Sequence, residues 1–367
     1  MTRYLALFTL LFFSVSNQAQ HTTINLFIGT YTKTCDSQGI YLYEFDTYTG
    51  EAKVKASTES IVNPSFLTIS KDKQFLYATN EDGNNSKISA FRFTAVKNTI
   101  ELINQVDAHG ADPCHIINDE QKVIVATYSG GTISVFEKQA DNSLKFQQEF
   151  IHKGSSINPE RQEKAHLHML QFSPDGKHIL ATDLGSDFIY VYQYNPLQRN
   201  NTLEVKKAIK VRPGSGPRHL TFSRDGKFVY LVQELDGTVS VFKYCDGNLE
   251  LIQETSLVKQ NFKGKTSAAD IHISPDGKFL YATNRGDANT ISCFEIKKNG
   301  KLKLQQTTST MGKGPRNFCI DPTGNFLLVA HQYTNDVVIF KIDKATGKLS
   351  ESGKKIELCS PVCLVFE

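Results

Sequence analysis

The stretch SGPRHLTFSRDGKFVYLVQEL, residues 215–235, is two short apolar runs joined by a polar turn. Yet Arg218 and His219 stand at its start and Glu234 at its end. A carboxylate or an imidazole can take a proton from water, and a guanidinium can hold an oxygen as it becomes negative. Together these types suit acid–base chemistry beside a developing oxyanion. The same types recur elsewhere: His166 and His168 in KAHLHML, Asn284 and Arg285 in YATNRGD, Arg316 in GPRNF and His331 in VAHQ. The competing role for such charges is an ion-pair lattice that cements the fold, with Arg218 and Glu234 as its obvious unit. Two histidines one residue apart share a strand face as metal ligands do, but without an assured third ligand the expectation is no metal. No Gly-x-Ser-x-Gly elbow is present, so a serine nucleophile is not indicated.

What must position these residues is visible as a repeat. FSPDGKHILATDL, FSRDGKFVYLVQEL, ISPDGKFLYATNR and IDPTGNFLLVAHQ are one pattern, with weaker copies in ISKDKQFLYATNE and INDEQKVIVATYS. The copies begin at 69, 117, 172, 222, 273 and 320, so the spacings are 48, 55, 50, 51 and 47. Each unit reads as a strand, an Asp-Gly type turn, a second strand, a polar turn, then two more strands such as TISVFEK and LKFQQEF. Asp-Gly between alternating apolar runs signals a hairpin, and four antiparallel strands every ~40–50 residues is the signature of a propeller blade. The fold class expected is all-β, a seven-bladed β-propeller of four-stranded antiparallel blades. Its seventh blade joins the C-terminal SPVCLVFE, as first strand, to INLFIGTYTKTCDSQGIYLYEFD, as strands two to four. Pairing the two termini closes the ring and removes its exposed edges. The Asp-Gly pairs are turn chemistry and not calcium loops, since the run of oxygen ligands is missing.

In such a ring strand one begins and strand two ends on the same rim, beside the central channel. The strand-one starts read Ser65, Cys114, His168, Arg218, Ala269, Arg316 and Val362. The strand-two ends read Tyr31, Asn80 with Glu81, Tyr128, Asp183, Glu234, Asn284 with Arg285, and His331 with Gln332. His168, Arg218, Glu234 and Arg285 therefore converge on one opening, with Arg316 and His331 close by. Other blades fill equivalent positions with small or apolar residues, so the fold does not demand these charges.

The rest of the chain bounds the possibilities. Its 367 residues hold 41 basic and 38 acidic side chains, a net +3 that gives no reason to expect nucleic acid or an anionic membrane. The N-terminus MTRYLALFTLLFFSVSNQAQ places one early arginine before an apolar run over residues 4–15, the pattern of an export signal. That run is too short to span a membrane, and no later segment is longer. The division expected is 1–19 as signal and 20–367 as one propeller domain, in the periplasm or outside the cell, as a monomer or weak homodimer. Seven scattered cysteines without Cys-x-x-Cys spacing read mostly as small buried hydrophobes, although export permits a disulfide. Cys359 and Cys363 lie ~13 Å apart if they share a strand, too far to pair with each other.

KAHLHMLQFSPDGK, GSGPRHLTFSRDGKFVYLVQEL, HISPDGKFLYATNRGD and GKGPRNFCIDPTGNFLLVAHQYTNDVVIFKID together resemble the lactonase, seven-bladed β-propeller family. Its bacterial members include 6-phosphogluconolactonases, and a distant relative is the fungal carboxy-cis,cis-muconate cyclase. The resemblance implies His168, with His166 as second choice, Arg218, Glu234 and Arg285 as catalytic residues; His166, His219, Asn284, Arg316 and His331, near them in the repeat, are the residues expected to bind substrate. It implies hydrolysis of a small-molecule lactone, with Glu234 or His168 as general base, the arginines on the carbonyl oxygen, and no cofactor. It leaves open the cyclase direction, and a non-catalytic propeller that binds glycan or protein. The Gln233 of VQEL departs from the family's more usual asparagine, and an export signal sits oddly with a phosphorylated cytoplasmic sugar.

Overall fold

The Ser-x-Asp-Gly turns close by local hydrogen bonds that the sequence prescribes. Asp175 Oδ1 accepts from Ser173 Oγ at 2.6 Å and from the Lys177 amide at 3.1 Å, while Ser173 Oγ accepts from the His178 amide at 2.9 Å. Ser223 with Asp225 and Ser274 with Asp276 repeat the arrangement. The glycine that follows has φ near +70° in each, at Gly176, Gly226 and Gly277, a conformation that side chains with a Cβ resist. The turn thus returns the chain as an antiparallel neighbour at fixed register.

The computed structural model describes residues 22–198, 200–259 and 261–367. The expected export segment, residues 1–19, lies outside them. The described residues form seven four-stranded antiparallel sheets, and the only helix among them is a three-residue turn at Gly83–Asn85. We number the blades by their inner strands: blade 1 Pro64–Ile69, blade 2 Pro113–Asn118, blade 3 Leu167–Phe172, blade 4 Pro217–Phe222, blade 5 Ala268–Ile273, blade 6 Pro315–Ile320 and blade 7 Pro361–Phe366. Blade 7 continues through Thr23–Thr30, Ile40–Asp46 and Ala52–Ser57, so the first two supply strands two and three. Its fourth strand lies just beyond the N-terminal segment singled out from the pattern. Inner and N-terminal strands pair antiparallel, Leu26 opposite Phe366 and Ile28 opposite Leu364, and the ring is closed as expected.

Apolar residues of neighbouring blades mesh between the sheets. Leu26, Ile28 and Phe45 of blade 7 pack on Phe326, Leu328 and Ile339 of blade 6, and each such side chain contributes about 1.5–3 kcal/mol by burial. Polar ties cross the same seams. Tyr230 Oη donates to the Gly300 carbonyl in the outer turn of the next blade at 3.0 Å, and Tyr281 Oη to that of Gly347 at 2.7 Å. A disulfide joins Cys35 to Cys359 across 324 residues of sequence, with Cα atoms 6.0 Å apart. It links the turn after the first N-terminal strand to the residues just before blade 7's inner strand. Cys114, Cys293, Cys319 and Cys363 are buried thiols, as the sequence led us to expect of most cysteines, and Cys245 is exposed.

One irregularity recurs in every blade. The ladder between strands one and two slips by one residue near the start of strand one. Leu167 lies opposite Asp183 but Met169 opposite Thr182, and Pro217 opposite Gln233 but His219 opposite Val232. Equivalent slips occur around Ser65, Cys114, Ala269–Asp270, Arg316 and Val362. A bulge leaves one residue unpaired and re-aims its side chain. The bulged positions are the seven strand-one starts read from the repeat.

Candidate active site

A second repeated contact fixes the facing residues. The amide of the residue just after strand two donates to a carbonyl just before strand one: Glu234 to Gly216 at 2.7 Å, Arg285 to Ser267 at 3.0 Å, Glu81 to Asn63 at 3.2 Å and Tyr128 to Asp112 at 2.8 Å. Tyr31, Leu184 and Gln332 make the same bond to Ser360, His166 and Gly314. These residues, together with the bulged ones, surround the channel mouth.

There eight of these fourteen line a cavity of about 330 Å³. Of the expected site residues, His168, Glu234, Arg285 and Arg316 reach it, joined by Tyr31, Glu81, Tyr128 and Arg161. Arg218 stands immediately behind. Glu234 is the hub of the arrangement: Oε1 accepts from Arg161 Nη2 at 2.6 Å, and Oε2 from Arg218 Nε at 3.0 Å and Arg285 Nη2 at 2.9 Å. Burial alone would raise its pKa, but Arg285, Arg218 and Arg161 overcome that and bring it down to about 2. Arg218, which also donates to the Ala269 carbonyl, is pushed down to about 9 by burial and by Arg285. Arg316 makes an ion pair with Glu81, Nη2 to Oε1 3.8 Å, and lies over the Tyr31 ring at 5.4 Å.

His168 enters from the bulge of blade 3. Burial, then the positive charge of Arg218, holds its pKa well below the usual imidazole range, so the ring is neutral at neutral pH. Its Nδ1 lies 3.8 Å from Cys114 Sγ, and no described residue hydrogen-bonds Nε2. Tyr128 meets it edge-on at 5.6 Å and stacks on His166 at 4.3 Å.

The remaining expected residues turn elsewhere. His166 spends Nδ1 on the Tyr128 carbonyl at 2.9 Å and Nε2 on Glu163 at 3.2 Å, so both ring nitrogens are engaged and neither is offered to a metal or to the cavity. His219 follows the bulge, and Nδ1 pairs with Asp270 at 2.8 Å, deeper in the channel, with its pKa pushed down to about 4 by burial and Arg218. Asn284 Oδ1 accepts from the Ser267 amide at 2.9 Å, and His331 Nδ1 pairs with Asp336 at 2.8 Å. Neither lines the cavity. Asp183 likewise gathers the amides of His166, Gly185 and Ser186. These last three close strand two, one step before the facing position, and adjacent residues on an extended chain point to opposite sides. In blade 3 the facing residue is Leu184.

Arg161 was not anticipated. It sits in the connection between blades 2 and 3, and the sequence signal for it was the 55-residue spacing, the longest in the repeat. Glu81 stood among the strand-two ends but not among the chosen site residues. A larger groove, about 810 Å³, is lined by Leu257, Val258, Phe262 and Leu304 near the outer strands, without a histidine or glutamate among its described residues. Asp175, His178 and Asp246 are the one described group whose ligand atoms could converge on a metal. Asp175 and His178 flank the turn at the far ends of their strands, on the rim opposite the cavity.

Comparisons with known proteins agree with this architecture. The family model described as Lactonase, 7-bladed beta-propeller matches residues 25–366. A protein of Formosa agariphila named 6-phosphogluconolactonase is 40% identical over 334 residues, covering 89% of this chain and 94% of its own. One of the same name from Bacillus subtilis is 32% identical, covering 93% and 97%. The structure of the periplasmic gluconolactonase of Pseudomonas aeruginosa superposes with a TM-score of 0.90 at 35% identity, covering 94% of this chain and 99% of that one.

Proposed function

The chain belongs to the lactonase, 7-bladed beta-propeller family, and from that membership we propose that it is an exported lactone hydrolase, opening a sugar lactone with water in the cavity at the channel mouth. The observation that carries the reading is the meeting there of a neutral imidazole, His168, with the cavity-facing guanidiniums of Arg161, Arg285 and Arg316.

The chemistry follows from what each group has left to give. Glu234 is a poor base, because its two oxygens already accept from three guanidiniums and its affinity for a proton is low. Its work is to hold Arg161 and Arg285 at the cavity wall, with Arg218 behind it. His168 takes a proton from water as the oxygen attacks the lactone carbonyl. The negative oxygen that forms is met by guanidinium donors already in place, which need no reorganisation at that moment. Arg316, whose contacts are a 3.8 Å ion pair and a ring face, has the donors to spare for a substrate carboxylate, phosphate or carbonyl.

Export is part of the proposal, with residues 1–19 as signal and 20–367 as the mature domain. It is supported by the apolar run of residues 4–15, by the Cys35–Cys359 disulfide, and by the likeness to a Pseudomonas gluconolactonase that is itself periplasmic.

The test is proton release at constant pH from gluconolactone and its 6-phosphate, with and without a chelator, after subtracting spontaneous hydrolysis. Turnover that survives chelation and an Arg316→Met variant with raised KM are expected. A folded protein that accelerates neither lactone would overturn the reading and leave the binding-scaffold alternative.

A further inference from the structure

We propose that Glu81 is the carboxyl group that hands the proton to the leaving ring oxygen, a role that rests on the lactonase reading above. Glu81 occupies in blade 1 the facing position that Glu234 occupies in blade 4, with its amide tied to the Asn63 carbonyl. Three steps round a seven-blade ring bring the two carboxyl groups to nearly opposite walls of one cavity.

Their surroundings divide the labour. Glu234 has both oxygens held by arginines. Glu81 is met by two hydroxyls, Tyr31 Oη on Oε2 at 2.9 Å and that of Ser65, while its buried Oε1 makes no hydrogen bond and has the Arg316 guanidinium 3.8 Å away. The groups facing Glu81 are Arg316 from blade 6, Tyr31 from blade 7, Ser65 from its own blade, and Asp112 before blade 2's inner strand with Cys114 on it. Burial outweighs the pull of Arg316, and Asp112 adds repulsion, so Glu81 is held above the ordinary carboxylate range. Two carboxyl groups pushed apart in this way mark an acid and a fixed anion.

The step balances with His168 as the other partner. Water loses one proton to His168 as its oxygen bonds to the acyl carbon. The tetrahedral adduct collapses, the bond from that carbon to the ring oxygen breaks, and the ring oxygen takes the proton from the Glu81 carboxyl. The product leaves as a hydroxy acid and ionises in solution. The imidazolium then returns a proton, through solvent, to the Glu81 carboxylate, which Arg316 stabilises meanwhile.

Glu81→Gln, assayed on the lactone that the parent protein opens best, is expected to lower kcat by ~10²–10⁴-fold with KM little changed. It should also abolish the fall in kcat/KM as pH rises through the Glu81 ionisation. Tyr31→Phe keeps the carboxyl but removes a donor to its charged form, so that fall moves to higher pH. A folded Glu81→Gln protein with kcat within threefold of the parent overturns the assignment. If that variant does not fold, an unmoved pH profile in Tyr31→Phe overturns it instead. A parent protein without lactonase activity removes the function and this role together, whereas an active parent with an equally active Glu81→Gln removes only Glu81.

Discussion

Arg218 Nε donates to Glu234 Oε2 at 3.0 Å, and both side chains are nearly inaccessible to water, 2% and 6% exposed. An ion pair this deep has the look of pure scaffolding. The same carboxylate, however, holds Arg285 and Arg161, both of which face the cavity. Lattice and site are therefore one object here, since the pair behind the wall sets where the donors in the wall stand.

Glu234→Gln should reveal both roles at once. Three guanidiniums lose their shared counter-charge, and breaking a buried pair costs about 3–5 kcal/mol. The expected result is a clear fall in melting temperature together with a rise in KM as Arg161 and Arg285 lose their anchor. A variant that melts and binds like the parent would show that the carboxylate does not organise the arginines.

Acid should destabilise the protein in two stages. His219 has its pKa lowered from 6.5 to about 4, and His115 and His168 lie well below 6.5, all by burial first. Groups depressed in the folded state contribute stability above their unfolded pKa and lose it as pH falls toward the folded value. The histidine contribution thus fades from about pH 6.5 downward, and that of Glu234 between its ordinary 4.5 and about 2. Glu81, shifted upward, acts in the opposite sense and favours folding as pH drops. Urea unfolding at pH 7.5, 5.5 and 4.5 should give declining midpoints. Equal midpoints would mean that the channel histidines are charged in the native state.

The position of each site residue was legible to different degrees, for physical reasons. His168, Arg218 and Arg316 could be found because the repeat carries its bulge to the same place in every blade. Asn284 and His331 were misplaced by one residue, and on an extended strand one residue is the difference between cavity and blade interior. Arg161 comes from a connection, where no period constrains the reading. The Cys35–Cys359 bond joins residues 324 apart, a proximity that exists only once the ring has closed.

Removing residues 361–367 should unmake blade 7. The strand lost is the innermost one, paired along Leu26–Thr30 and tied to blade 6 through the Leu364 amide on Asn317 Oδ1 at 2.7 Å. The truncated protein should be largely insoluble or melt far below the parent. A soluble product with an unchanged melting curve would count against closure by this strand.

The disulfide should be measurable by labelling and by stability. Cys245 is the one exposed free cysteine, so an alkylating reagent should modify a single site in the native protein and three after reduction. Cys35→Ser should cost about 2–4 kcal/mol, the usual worth of a cross-link that constrains the unfolded chain. Three modified sites without reductant would show the thiols to be unbonded.

The placement of that cross-link also decides how the molecule carries load. Tension applied between residue 22 and residue 367 would first peel the Thr23–Thr30 and Pro361–Phe366 strands apart, breaking hydrogen bonds one after another. Once the slack reached Cys35 and Cys359, covalent sulfur would take the strain, and the six blades in between would lie outside the path of the force. A molecule stretched by its ends in an optical trap should therefore lengthen by the short segments 22–35 and 359–367 and then stop. Added reductant should release the remaining six blades.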